Sequence, residues 1–242
     1  MCVVCYGATF NQYWYIEDNA PIQTTCTTGG DIILPTPPTK YGYDFVGWEK
    51  TYVPIEYLES TGTQWIDTGV RGNMSYTYEI DFQQTDNKAY RIWGLYSPDY
   101  TSPSMALTYN PGVFVVRWQS VSGPIDIDLS YIDAERHAIK IKNGFVNWDN
   151  VDKGRTLGHK DNFIFGYNLF LGTVNPGGSL PSLNSHSKYY SYKVWDSNDV
   201  LIQDFIPVLD PSGVPCMFDK VERKFYYNAG TGDFIAGPVI GE

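Results

Sequence analysis

The sequence predicts an all-β protein, and three observations carry that prediction. Short segments alternating apolar and polar residues recur through residues 53–242, separated by Gly, Pro, Asn and Asp at intervals of about 10 to 20 residues. No segment keeps a 3.6-residue period for more than three turns. The 242 residues include 20 Tyr, 12 Phe, 7 Trp and 23 Gly, a composition that suits pleated strands and turns better than helices. Many even strands of this kind read as a β-sandwich.

Apolar residues make up 43% of the chain and charged ones 18%, the balance of a globular protein. The net charge is −10 and the pI about 4.7. Nucleic-acid binding through phosphate contacts is thereby disfavoured, since no basic stripe offsets the repulsion, and so is an anionic membrane. No run of about 18 apolar residues is present to span a bilayer. The opening MCVVCYGATFNQYW lacks a basic start and soon turns polar, so no secretion signal is legible. Release by lysis inside an assembled particle is one route to the outside that needs none.

The first unit runs over residues 1–52. Val3–Tyr6 and Tyr13–Ile16 are strand-like. Gly29-Gly30 turns the chain into a short strand, Asp31–Leu34, and Pro35, Pro37 and Pro38 then hold an extended arm because each fixes φ and removes a donor. Tyr43–Trp48 alternates, with Tyr43, Phe45 and Gly47 on one face. Cys2 and Cys5 have CxxC spacing, with Cys26 nearby and no histidine before His137. Structural or free thiols are expected rather than a zinc site, and the pairing of Cys2, Cys5, Cys26 and Cys216 stays open. The positions Leu34-Pro35, Pro37, Gly42-Tyr43, Phe45 and Gly47-Trp48 resemble the internalin B-repeat (Listeria–Bacteroides repeat) family. That resemblance implies a small β-grasp-like module of bacterial surface proteins, present here as one copy.

The second unit, residues 53–242, opens with VPIEYLESTGTQWIDTGV. Strands are then expected over Ser75–Gln83, Tyr90–Leu95, Met105–Tyr109, Val113–Gln119, His137–Lys142, Phe163–Leu171, Tyr189–Trp195, Val200–Ile206 and Lys224–Asn228. The opening residues Glu56-Tyr57, Glu59–Gln64 and Ile66–Gly69, with a closing Asp204–Pro207 and then Phe218–Pro238, resemble the concanavalin A-like, laminin-G-like jelly rolls of gut bacteria and their phages. The resemblance implies a jelly-roll sandwich that brings its terminal strands, and so the two signatures, close together.

Glu79 lies in YEIDFQQ, at residues 78–84. On a strand Tyr76, Tyr78, Ile80 and Phe82 share one face, and Thr77, Glu79, Asp81 and Gln83 the other. The arrangement resembles the catalytic strand of laminarinase-type glycosidases, where one carboxylate is nucleophile and a second protonates the leaving group. Glu79 suits the first role. Gln83 and Gln84 stand where the acid would be, and an amide has no proton to give near neutral pH. An ordinary amphipathic strand is the simplest reading; if the strands of Lys140 or Arg117 neighbour it, those residues pair with Glu79 and Asp81 for ~0.2–1 kcal/mol each. A sugar-binding concave face carrying Glu79, Asp81 and Gln83 is the functional one.

Trp148, in the turn-like Asn147-Trp148-Asp149-Asn150, is the tryptophan expected to be exposed for stacking on a sugar; Trp65, Trp93 and Trp118 are expected in the core. Calcium is common in laminin-G-like domains. The loops with suitable groups are Asp196–Asp199 and Asp149-Asn150 with Asp152, but neither has the spacing of a recognised calcium loop, and DSND reads as a hairpin turn. No cofactor is therefore expected, with calcium as the alternative. His137, His159 and His186 have no paired nucleophile motif, and no glycine loop precedes a helix and Lys.

Together these features predict a non-enzymatic virion structural or decoration protein of a phage, in the head fibre, on the capsid or at the tail. The N-terminal unit would bind other virion proteins and the jelly roll a host surface polysaccharide, with a homo-oligomer open. The alternatives are a structural cap making protein contacts only, an adhesin of the bacterial cell surface, and a glycoside hydrolase.

Overall fold

The computed structural model describes residues 9–14, 22–27, 34–42, 44, 52–96, 104–111, 113–119, 126–128, 134–155, 163–177 and 180–240. Within them the chain forms strands and no helix. In the first unit β1 (Thr9–Trp14) pairs antiparallel with β2 (Ile22–Thr27), and the Trp14 indole donates to Thr24 Oγ1 at 2.7 Å. The expected strands at Val3–Tyr6 and Asp31–Leu34, and the residues Tyr43, Phe45, Gly47 and Trp48 of the repeat signature, lie wholly or partly outside the described residues.

The second unit is a jelly-roll sandwich of two antiparallel sheets. The smaller sheet uses β5 (Ile66–Asn73), β7 (Tyr90–Leu95), β8 (Ser104–Asn110), β9 (Val113–Gln119), β10 (Asp126–Asp128) and β14 (Ile164–Leu171), in the order β10-β9-β8-β7-β14-β5. The larger is built on β6 (Thr77–Gln84), β11 (Arg136–Lys142), β12 (Phe145–Trp148), β13 (Val151–Arg155), β15 (His186–Trp195), β16 (Leu201–Leu209), β17 (Pro215–Asp219) and β18 (Lys224–Tyr226). Its order is β13-β12-β11-β6-β15-β16-β17-β18. Short strands β3 (Val53–Pro54), β4 (Leu58–Thr61) and β19 (Ile235–Ala236) complete it, β4 pairing the first half of β15 and β16 the second.

Alternation puts one face of each sheet into a shared core. Tyr78, Ile80 and Phe82 of β6 are buried, as are His137, Ile139 and Ile141 of β11 and Phe114, Val116 and Trp118 of β9. Rings meet across the layers, Tyr78 with Trp93 at 5.0 Å and Phe82 with Phe114 at 5.6 Å. The aliphatic and Phe side chains among them contribute roughly 1.5–3 kcal/mol each by leaving water.

The two terminal signatures lock onto each other. Buried Gln64 receives the Thr61 N–H at 2.8 Å on Oε1 and donates from Nε2 to the Asp233 carbonyl at 2.9 Å. Thr63 Oγ1 donates to the Thr231 carbonyl, and the Asn228 side chain accepts from the Trp65 N–H. Backbone bonds run from Ala229 to Trp65 and from Thr231 to Thr63. Gly230 sits in this seam because a Cβ there would lie 2.0 Å from the Thr63 carbonyl oxygen. Trp65, expected in the core, is instead half-buried and stacked on Phe170 at 4.3 Å, beside Gly230.

The hairpin of β12 and β13 is not among the strands expected from the sequence. Asn143 and Gly144, with φ of 49° and 73°, turn β11 into β12, and Asp149 and Asn150, with φ of 49° and 66°, turn β12 into β13. Left-handed residues in pairs suit tight hairpins. Only Asp149 and Asn150 of the NWDN stretch are the turn; Trp148 ends a strand opposite Ile139 and points inward.

Candidate functional site

The outward face of the larger sheet gathers most of the polar residues singled out in the sequence. Glu79, Asp81 and Gln83 alternate along β6 between β11 and β15. Register sets Lys140 beside Glu79, and its Nζ reaches Glu79 Oε2 at 3.0 Å. Asp81 takes a bidentate pair from Arg136, Nε to Oδ1 at 2.7 Å and Nη2 to Oδ2 at 2.6 Å. Arg117, the alternative partner, lies on β9 of the opposite sheet, near the Tyr96 ring. Gln83 accepts from the Tyr190 hydroxyl at 2.8 Å and donates to the Ala134 carbonyl.

Three half-buried aromatic rings complete this face. The Arg136 guanidinium lies 3.8 Å from the centre of the Tyr190 ring, Lys140 Nζ 4.3 Å from that of Trp195, and Lys188 Nζ 4.2 Å from that of Tyr57. Tyr57 meets Tyr190 edge-on at 5.7 Å. Hydrogen bonding to Asp81 raises the Arg136 pKa above its ordinary value against the opposing effect of burial. Burial raises the Tyr190 hydroxyl, while Lys188 and Arg136 pull it down. For Lys188 burial acts against the charge, but the Tyr57 hydrogen bond and the nearby Glu59 outweigh it and raise its pKa.

A register shift explains why Tyr190 escaped notice. Strict alternation puts Tyr190 with Tyr192 and Val194, but β15 bulges between Tyr189 and Ser191. Tyr189, Tyr192 and Val194 therefore face the core, while Tyr190 joins Ser191, Lys193 and Trp195 outside. One extra residue reverses the parity of everything after it. Tyr57 belongs to the opening signature, and its proximity to β15 follows only from the pairing of β4 with that strand.

Trp148 does not belong to this face. It is 2% exposed and packs against His137, Phe114 and Phe82 at ring distances of 4.7, 5.1 and 6.0 Å. The expectation of an exposed sugar platform at Trp148 is therefore corrected, because the two-residue turn begins one position later.

Both Asp81 oxygens accept from a guanidinium, Glu79 accepts from an ammonium, and the next outward position is an amide. This row offers acceptors and donors in fixed places rather than a carboxylic acid poised beside a nucleophile. The loops considered for calcium are occupied by turn chemistry. Asp196 Oδ1 accepts from the Asn198 and Val200 N–H groups, which hold its carboxyl below the ordinary range, and Asp199 pairs with Lys142. Asp149 binds His137 Nδ1 and the Ala138 N–H, and Asp152 accepts from the Gly154 N–H. Among the described residues no group of three His, Cys, Asp or Glu is placed to hold a metal ion.

No protein-family model and no curated protein matches the chain. Among solved structures it is similar to the native heptameric SAP-like pentraxin of Limulus polyphemus, at 10% identity over 80% of this chain and 93% of that one, with a TM-score of 0.42. It is also similar to domains LG4-5 of the mouse laminin α1 chain, at 12% identity over 94% of this chain and a TM-score of 0.42; the match spans 59% of the laminin fragment.

Proposed function

We propose that this protein is a non-enzymatic binding module whose jelly roll takes carbohydrate on the outward face of its larger sheet. The observation that carries the reading is the platform itself. Tyr57, Tyr190 and Trp195 are half-buried and fixed by neighbouring cations, and Gln83, Asp81 and Glu79 supply hydrogen-bonding groups beside them. Sugars are recognised by aromatic surface with polar groups at its rim. Display on a phage virion, with residues 1–52 engaging other virion proteins, is the setting we propose, supported by the jelly-roll signatures that resemble those of gut bacteria and their phages; the repeat-like first unit favours the bacterial surface instead. The bacterial cell surface is the alternative setting.

A structural cap that makes protein contacts only is the second reading. It is favoured by the way each of the three rings already has a cation over it and each β6 carboxylate its own partner.

A glycan array probed with the full chain and with Tyr190→Ala and Trp195→Ala separates the two. Binding that both variants weaken at least tenfold, with melting curves close to wild type, is expected. No retained glycan, or binding indifferent to both substitutions, favours the cap. Mass spectrometry of purified particles tests the virion setting; absence of the chain from them counts against it.

A further inference from the structure

Resting on that carbohydrate reading, we infer that the face is built for an uncharged glycan and discriminates against acidic polysaccharides. The first ground is charge balance. Arg136 is offset by Asp81, Lys140 by Glu79 and Lys142 by Asp199. Lys188 stands opposite Glu59 in the register, and Glu56 acts on Arg136 and Tyr190. Lys193 makes no ion pair among the described residues; its register partners Glu79 and Asp204 are already bound to Lys140 and Lys220, and Glu56 is the carboxylate left to balance it. The face is close to neutral on a chain of net charge −10, and the remaining charge repels a polyanion.

Valence is the second ground. The Asp81 carboxylate keeps lone pairs beyond the two bonds it makes, and Glu79 Oε1 makes no hydrogen bond among the described residues. The Arg136 guanidinium commits two of its five N–H donors to Asp81. Spare acceptors and spare donors thus alternate over a few ångströms. A hydroxyl both donates and accepts, so neighbouring hydroxyls of a sugar satisfy both kinds. A carboxylate or sulfate brings acceptors only. It would leave Glu79 and Asp81 facing a like charge, or displace Asp81 from a bidentate charge-assisted pair.

The test measures retention of the full chain on immobilised mannan, dextran and xylan as neutral probes, and on polygalacturonate and heparin as acidic ones. Measurements at about 0.1 M and about 1 M salt span a fall in screening length from ~10 Å to ~3 Å. Binding to at least one neutral probe, changing less than about twofold with salt, is expected, with no retention on either acidic probe. The double variant Glu79→Gln/Asp81→Asn strips the carboxylates and frees Arg136 and Lys140. Its neutral binding should fall at least about tenfold, and salt-sensitive retention on polygalacturonate should appear. Wild-type chain that prefers an acidic probe and releases it at high salt overturns this inference and leaves the carbohydrate reading standing. Wild-type chain that binds no probe removes both. The wild-type arm decides the outcome even where the double variant melts early.

Discussion

Gly230→Ala probes the seam between the two ends of the jelly roll. A Cβ on Gly230 would lie 2.0 Å from the Thr63 carbonyl oxygen and 2.8 and 2.9 Å from Cδ1 and Nε1 of Trp65. The first neighbour is backbone and cannot swing away, so one strand of the seam must retreat by about an ångström. Overpacking of this kind costs about 1–3 kcal/mol. Retreat also strains the flanking bonds, Ala229 N–H to the Trp65 carbonyl at 2.8 Å and Thr231 N–H to the Thr63 carbonyl at 3.0 Å, each contributing about 0.5–1.5 kcal/mol. Together the loss is about 2–6 kcal/mol, which for a chain of this length lowers the melting temperature by roughly 5–20 °C. Gly166→Ala is the control, since a Cβ there meets nothing within 4 Å, and its effect should stay within about 0.5 kcal/mol. Melting by circular dichroism, with urea unfolding to check that the slope is unchanged, measures both. A Gly230→Ala protein melting within about 2 °C of wild type would refute the seam as a stabilising contact.

Trp148→Ala should destabilise by about 3–5 kcal/mol, as large-to-small changes at a filled aromatic site do, and leave the proposed glycan binding per folded molecule unchanged; a selective loss of binding in a stably folded variant would return Trp148 to the proposed site. Burial lifts the Asp219 carboxyl above its ordinary 3.8, although N–H groups of Asp204, Val221 and Glu222 pull the other way. A carboxyl raised in the folded state favours folding most below its ordinary value, and that contribution is lost as pH rises through the raised folded value. Asp219→Asn cannot ionise, so its urea midpoint relative to wild type should climb from about pH 4 towards neutrality, and a relative fall over that window would contradict the assignment. Cys216 is fully buried, its thiol pushed up to about 12 chiefly by burial, so iodoacetamide should label it only on unfolding; rapid labelling in the native state would place it wrongly.

The strands were legible where alternation was uninterrupted. Tyr90–Leu95 and Val113–Gln119 coincide with β7 and β9, and the inward set of β6 is the one its alternation gives. Alternation placed Glu79 and Lys140 on outward positions of their strands; that the strands are neighbours, and so the ion pair, came from the sheet order. Where a special backbone conformation intervened, parity arguments failed. Asn143-Gly144 is a strong hairpin signal, and reading it would have recovered β12 and placed Trp148 inside. The bulge in β15 leaves no such mark: YYSYKVW is consistent with either parity, and only the core's demand for Tyr189, Tyr192 and Val194 together decides which tyrosine turns out. Partners across the sheet, such as Arg136 for Asp81 or Tyr57 for Tyr190, depend on strand order, which no local pattern contains.

The distinctive signatures and the candidate face answer to different physical demands. Gln64, Trp65, Asn228 and Gly230 are consumed by one another in the terminal seam, where the partners are backbone carbonyls and amides and where an added methyl meets main chain. Substitution there is expensive. On the outward face Glu79, Asp81, Arg136 and Lys140 are partly exposed, and exposed pairs of that kind contribute about 0–1 kcal/mol each. Their replacement leaves the sandwich standing. A chain can therefore keep both signatures and the whole frame while its outward face changes from neutral to charged or from aromatic to plain. The signatures mark the scaffold, and in the proposed function it is the outward residues of β6, β11 and β15 that would select the ligand.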